Sequence, residues 1–419
     1  MPPAGLAAQP LAPFAAAPAP RHFANPRAWR AQGGALPDPG VVPAAAAARA
    51  LAEIAAWPGY RPTPLTALPG LAAAAGLGAL HYKDESGRFG LGSFKALGGA
   101  YAVLRLLAAR LAVDHGLSDI DGAALRSGRY GELTRSIVVA TATDGNHGRS
   151  VAWGARLFGC RCVVYIHAEV SSGREAALRD QGAEVIRVTG NYDASVARCA
   201  ADAAANGWTV VSDTSWEGYL DIPRDVMAGY SVMLSEIFDQ LAGEVPTHVV
   251  VQGGVGGIAG TLAELLARQW QDRRPRFLVV EPALAPCLLA SAEAGRPTAV
   301  EIAEETLMAG LSCGAVSLLG WEILSGAADD FLTIEEELVA PAMRLLAEAP
   351  YGDPAVTAGE SAVAGLAAVL AASQDPALRQ ALALGPDSRV LLIGTEGATD
   401  PEIYRRLTGR SPDESRESR

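Results

Sequence analysis

The chain has 419 residues, half of them hydrophobic, and carries 34 Lys and Arg against 46 Asp and Glu for a net charge of −12. That length allows two or three domains with a large core. An acidic balance without a dense Lys/Arg run argues against nucleic acid or an anionic membrane surface and leaves a small molecule as the expected partner.

Five cysteines, at 160, 162, 199, 287 and 313, are few and odd in number, which argues against a disulfide scaffold. The six histidines are scattered without HxxxH or HxxH spacing, so no metal is expected. In chain order, residues 1–41 are Ala/Pro-rich, with prolines that break any helix of signal-peptide length and no basic stretch before an apolar core. They read as a disordered extension of a cytoplasmic protein. From residue 42, short β-branched runs alternate with Ala/Leu-rich amphipathic stretches, the pattern of an α/β fold. The clearest strands are expected at 136–141, 161–167, 183–190, 208–213, 247–254, 276–282 and 388–397, most of them running into glycines or polar residues. Open α/β sheets place ligands at such strand ends.

The strand-helix repeat over 111–225 is compact enough to form a small lobe, with 42–110 and 226–410 forming a larger one and 411–419 a polar, frayed tail. Each lobe is expected to carry a central, mostly parallel sheet flanked by helices. A chain that enters one lobe, leaves for a second and returns makes a cleft suited to a cofactor.

Two stretches carry chemistry. In KDESGRFGLGSFKALGGAYAV, Lys95 follows a glycine-rich loop and opens an amphipathic helix, where the helix N-terminus and partial desolvation favour a nucleophilic free amine. In VQGGVGGIAGTLAEL, glycines between a strand and a helix leave backbone N–H groups free to converge on an anion. The second stretch lacks the Lys-Ser/Thr ending of a P-loop and departs from GxGxxG, although a nucleotide-binding, non-catalytic protein stays open at this point. A nucleophilic lysine together with a phosphate cradle suggests a phosphate-bearing aldehyde cofactor, and pyridoxal 5'-phosphate fits.

GSFKALGGA, TDGNHGR and GGVGG together resemble the fold type II, tryptophan-synthase-β-like class of pyridoxal-phosphate enzymes. YRPTPL, SDTSWEGY, MAGLSCG, LGWEIL, YGDPAVTAGES and TEGATDPEIY extend the resemblance over about residues 60–405, with the closer match to the 2,3-diaminopropionate ammonia-lyases. The resemblance implies that Lys95 holds the cofactor covalently and that the backbone of Gly253, Gly254, Val255, Gly256 and Gly257 holds its phosphate. It also implies that Asn146 bonds the 3'-oxygen of the ring and that Thr395 faces the pyridine nitrogen. A homodimer acting on an amino acid is implied as well.

The dehydratases of this class have a small residue where Asp144 stands, and a second carboxylate, Asp213, ends a neighbouring expected strand. Proton abstraction from Cα needs a base on the face where the proton lies. Two carboxylates on different sides of the cofactor would serve opposite enantiomers, or hold a substrate with an extra ammonium group. The implied reaction is α,β-elimination of 2,3-diaminopropionate, both L and D, to pyruvate and two ammonia. A serine/threonine dehydratase of the same fold is the alternative. On its own terms Asp144 also suits a turn or helix cap, and His147 a hydrogen-bonded support.

Overall fold

The computed structural model describes residues 10–32, 37–143 and 145–417. Asp144 therefore lies outside the described residues, as do 1–9, 33–36, 418 and 419. The strands among the described residues are β1 (His22–Ala24), β2 (Leu65–Ala67), β3 (Ala79–Asp84), β4 (Val138–Ala142), β5 (Arg161–Ile166), β6 (Glu184–Arg187), β7 (Thr209–Val210), β8 (His248–Gln252), β9 (Arg276–Pro282), β10 (Asp330–Ile334) and β11 (Arg389–Gly394).

By contacts the chain falls into two compact units, one of residues 1–40, 62–87 and 236–419, the other of 41–61 and 88–235. The first holds a seven-stranded sheet in the order β1-β10-β9-β8-β11-β3-β2. Its five inner strands are parallel, and β1 and β2 are antiparallel edges. The inner strands β8 and β10 are buried at every position, so neither alternates between a buried and an exposed face. The second unit holds a four-stranded, wholly parallel sheet in the order β6-β5-β4-β7.

These divisions differ from the sequence-based boundaries, which assigned 42–110 to the larger lobe. The helix Lys95–His115 belongs with 111–235 because glycines let it touch two neighbouring helices at backbone distance. A Cβ on Gly99 would meet Ser150 Oγ at 2.6 Å, one on Gly154 would meet Ala100 Cα at 2.7 Å, and one on Gly229 would meet Leu97 O at 2.5 Å. Small residues permit this approach and a Cβ would prevent it. By length and composition alone the helix Lys95–His115 is apolar enough to cross a membrane, yet 67% of its apolar window is buried inside the protein.

Two expectations of disorder are corrected. Of the N-terminal extension, residues 10–32 are ordered: Leu11 and Phe14 join the core of the first unit, β1 pairs with β10, and Asn25 donates to Ala328 O at 2.8 Å. Two apolar anchors and one strand edge outweigh a low-complexity composition. In the tail, Pro412–Glu417 is helical because Ser411 and Glu414 cap it reciprocally, Ser411 N donating to Glu414 Oε2 at 2.8 Å and Glu414 N to Ser411 Oγ at 3.3 Å.

A buried network stands near three of the places where the chain passes between units. Lys83 Nζ donates to Thr63 O at 2.8 Å, Glu236 Oε2 at 2.8 Å and Gln240 Oε1 at 2.9 Å, while Thr63 Oγ1 donates to Glu85 Oε1 at 2.5 Å. The Lys83 and Glu236 side chains are 0% and 2% exposed, so removing one charge leaves the other stranded. Lys83→Met is expected to lower stability by about 3–5 kcal/mol in urea unfolding. Lys83→Met combined with Glu236→Gln should recover part of that loss.

Candidate active site

In the second unit the residues gather at one edge of the sheet. Parallel β4 and β7 pair at Val139↔Thr209 and Ala140↔Val210, so the segments following them, with Thr143, Asn146 and His147 after β4 and Asp213 after β7, leave the same C-terminal edge. The turn after β4 is capped by Thr143, whose Oγ1 accepts from Gly145 N at 3.1 Å and Gly148 N at 3.3 Å. A threonine hydroxyl thus satisfies two of the free N–H groups at this helix start.

Asn146 opens the helix Asn146–Phe158 and is half-buried. His147 follows it inside: Nε2 donates to Val211 O at 2.9 Å and Nδ1 stands 3.8 Å from Asp213 Oδ2. A nitrogen that donates to a carbonyl carries the proton, which makes Nε2–H the tautomer. Burial pushes the imidazole below its ordinary range, although Asp213 acts in the opposite sense.

Lys95, first residue of its helix, forms an ion pair with Asp213, their side chains 21% and 18% exposed. Burial alone would raise the Asp213 carboxyl. The charge and hydrogen bond of Lys95, helped by His147, outweigh it and hold the group well below the usual carboxylate range. Beside the pair, Phe94 packs on Tyr230 at 4.8 Å between ring centroids, and the buried Tyr230 hydroxyl has no hydrogen-bond partner among the described residues. An orphaned buried hydroxyl suits a site built to receive a polar group.

The first unit supplies the glycine loop. β8 and β11 pair in parallel, Val250 opposite Leu392, so the loop after β8 and the buried Thr395 after β11 emerge at the same sheet edge. Gly253 N donates to Val280 O at 2.8 Å and Gly256 N to Gly253 O at 3.0 Å. The N–H groups of Gly254, Val255 and Gly257 have no acceptor among the described residues. Gly254 and Gly256 hold φ of +53° and +97°, which favours glycine, and Gly256 caps the helix Gly257–Trp270. Free N–H groups at a helix N-terminus form a phosphate cradle. The LGWEIL motif braces it, because a Cβ on Gly320 would meet Gly256 C at 2.8 Å and Ser317 N donates to Val255 O at 2.8 Å. The lysine with its ion-paired carboxylate and the cradle of free N–H groups are each of the kind that pyridoxal 5'-phosphate requires.

Sequence reasoning missed Glu281, the acidic residue near the end of β9. It lies against the loop, where a Cβ on Gly253 would meet Glu281 Cγ at 2.8 Å, and it accepts from Leu288 N and Leu289 N at 2.8 Å each. Burial, only partly offset by those bonds, pushes its carboxyl up to about 8. At neutral pH it is therefore mostly uncharged, which keeps negative charge away from a phosphate cradle. A carboxyl raised on folding stabilises the protein fully below its unfolded value of about 4.5 and loses that contribution as pH rises toward 8. Glu281→Gln is accordingly expected to flatten a decline on the order of a few kcal/mol in the stability of the wild type across that window, read by urea unfolding at a series of pH values. Cys287 and Cys313 both lie against Gly254 and are free thiols; Cys287 Sγ donates to Gly254 O at 3.5 Å.

The structure thus brings Lys95, His147 and Asp213 into contact in one unit and sets Gly253–Gly257 and Thr395 at one sheet edge of the other. Residues 56–396 match the family described as pyridoxal-phosphate dependent enzymes, and the chain belongs to that family with the fold type II architecture. The chain is 40% identical over 355 residues to diaminopropionate ammonia-lyase of Escherichia coli K12, covering 83% of this chain and 87% of the relative, and so stands among the diaminopropionate ammonia-lyases. The crystal structure of the Escherichia coli enzyme in complex with D-serine superposes with a TM-score of 0.84 at 36% identity, covering 94% of this chain and 98% of that one. Its complex with an aminoacrylate-PLP azomethine reaction intermediate gives 0.82 at 37%, covering 93% and 96%.

Proposed function

We propose that the chain converts 2,3-diaminopropionate of both hands and water into pyruvate and two ammonia. The observation that carries this reading is the Lys95–Asp213 ion pair in a pyridoxal-phosphate enzyme of this branch: a lysine to hold the cofactor, with an ionised carboxylate in contact with it.

Bound pyridoxal 5'-phosphate supplies a sink for the electron pair left when the α C–H bond breaks. Lys95 would hold its aldehyde carbon, the free N–H groups of Gly254, Val255 and Gly257 its phosphate, Asn146 its 3'-oxygen and Thr395 its pyridine nitrogen, while the N–H groups of Gly253 and Gly256 are engaged within the loop. Asp213 removes the α-proton of one enantiomer and Asp144 that of the other. Lys95 or a carboxylate returns a proton to the β-nitrogen, which leaves as ammonia. A substrate with a second ammonium group is favoured where carboxylates are partly shielded from water.

The acidic charge and five free thiols suit a reducing cytoplasm, and a homodimer is the expected assembly. Size-exclusion chromatography with light scattering tests the assembly. For the activity, pyruvate release is followed with L- and D-diaminopropionate beside serine and threonine. Turnover of both diaminopropionate isomers at higher kcat/KM supports the reading; preference for serine or threonine overturns it in favour of a dehydratase.

A further inference from the structure

The segment that carries Asp213 is almost without a sheet. β7 has two residues, and its ladder ends where Val211 N donates to Ala140 O at 2.8 Å. Among the described residues no strand neighbours Ser212 and Asp213. A tight turn does so instead. Trp216 N donates to Tyr219 O at 3.3 Å and Tyr219 N to Trp216 O at 2.9 Å, with Gly218 at φ +81°. The Trp216 ring stacks on Tyr219 with centroids 4.1 Å apart and planes 11° from parallel.

This turn folds the Tyr219 phenol back onto its own strand. Its Oη accepts from Ser212 N at 3.0 Å and donates to Val210 O at 2.9 Å. One hydroxyl therefore satisfies the donor and the acceptor that a further strand would have met. The next residue is Asp213. Ser212 Oγ also accepts from Thr214 N at 3.1 Å, so the polypeptide is fixed on both sides of the carboxylate.

We infer that Tyr219 is a positioning residue that aims Asp213, so that the phenol hydroxyl, without touching substrate, sets the rate for the enantiomer whose α-proton Asp213 removes. The inference rests on the assignment of Asp213 as a base. It also gives SWEGY a purpose: a turn whose stacked rings hold one oxygen in register with a strand end.

Tyr219→Phe keeps the ring and its stack and removes only that oxygen. Losing its bond should speed amide exchange at Ser212 about tenfold in the apoenzyme, read by mass spectrometry on peptides spanning 208–216. In the holoenzyme kcat is expected to fall about tenfold or more on the isomer that Asp213→Asn impairs, with KM little changed and the other isomer within about twofold of wild type. A change in packing or cofactor loading alone would slow both isomers together. An isomer-selective Asp213→Asn beside a Tyr219→Phe that slows both isomers, or neither, overturns the role of Tyr219 alone, as does unchanged exchange at Ser212. An Asp213→Asn with no effect overturns the assignment of Asp213 and that of Tyr219 with it.

Discussion

Lys95→Ala is expected to abolish the visible absorbance of the purified protein and to lower kcat by about 10⁴-fold or more, the scale seen when a covalent nucleophile is removed. Two losses combine. The covalent hold on the cofactor proposed for Lys95 goes, and so does the positive charge that keeps Asp213 ionised. Burial pushes the Asp213 carboxyl up and Lys95 is the first of the groups that pull it down. Without Lys95 the nearest remaining partner is His147, itself held toward the neutral form by burial. The sign follows for acid stability. A carboxyl depressed on folding contributes stability that is fully present above its unfolded value of about 3.8 and is lost as pH falls through the lower folded value. The Lys95→Ala apoprotein should therefore unfold at higher pH than wild-type apoprotein on acid titration followed by circular dichroism. A coloured, active Lys95→Ala protein would place the covalent attachment elsewhere.

The legible part of the fold was the part that local pattern controls. The expected strands at 161–167, 247–254 and 276–282 correspond closely to β5, β8 and β9, because strands buried on both faces leave apolar runs. β10 was not among those clear runs. It opens on Asp330, whose charge is accommodated by Arg276, 54 positions away, at 2.6 and 2.8 Å and by His22, 308 positions away, at 2.7 Å. No local window contains such partners. The expected strand at 208–213 shrank to Thr209–Val210 for the converse reason: the apolar run and the SWEGY turn were visible, but not the bonds by which the Tyr219 phenol replaces the ladder.

The residues of the candidate site stood out in the sequence more than the packing around them. Lys95 and Asn146 open helices and the glycine loop follows β8, where sequence punctuation is strong. The glycines of ALGGA and LGWEIL drew attention as motif members, whereas the structure shows their physical demand, since a Cβ at Gly98 would strike the Tyr230 ring at 2.4 Å and one at Gly320 the Gly256 backbone. Thr143 and Glu281 were passed over because a threonine and a glutamate beside strand ends look ordinary until their hydrogen bonds are seen. The signal for Glu281 was a charged residue inside the otherwise apolar run RFLVVEP.

The division of labour proposed for Asp213 and Asp144 gives the other large effect. Asp213→Asn is expected to lower kcat by about 10²- to 10⁴-fold on one enantiomer of diaminopropionate, and Asp144→Asn by a similar factor on the other, the usual range for a lost general base. The argument is geometric: one bound substrate presents its α-proton on one face, its mirror image on the opposite face, and a base works only within hydrogen-bond reach of the proton. Asparagine keeps the shape of each residue while removing the basicity that lets a carboxylate take up the proton. It also removes a negative charge, so a modest rise in KM should accompany each change, shared by both enantiomers, because the substrate carries the same ammonium groups in either hand. The kcat split and the shared KM change separate the two roles. Equal loss of kcat on both enantiomers in Asp144→Asn would make that residue a substrate anchor and leave Asp213 as the base for both. For Asp213→Asn the Lys95 partner is lost as well, so holoenzyme of full visible absorbance must be confirmed before rates are compared. With loading confirmed, a selective loss on one enantiomer locates Asp213 on the face from which that proton departs.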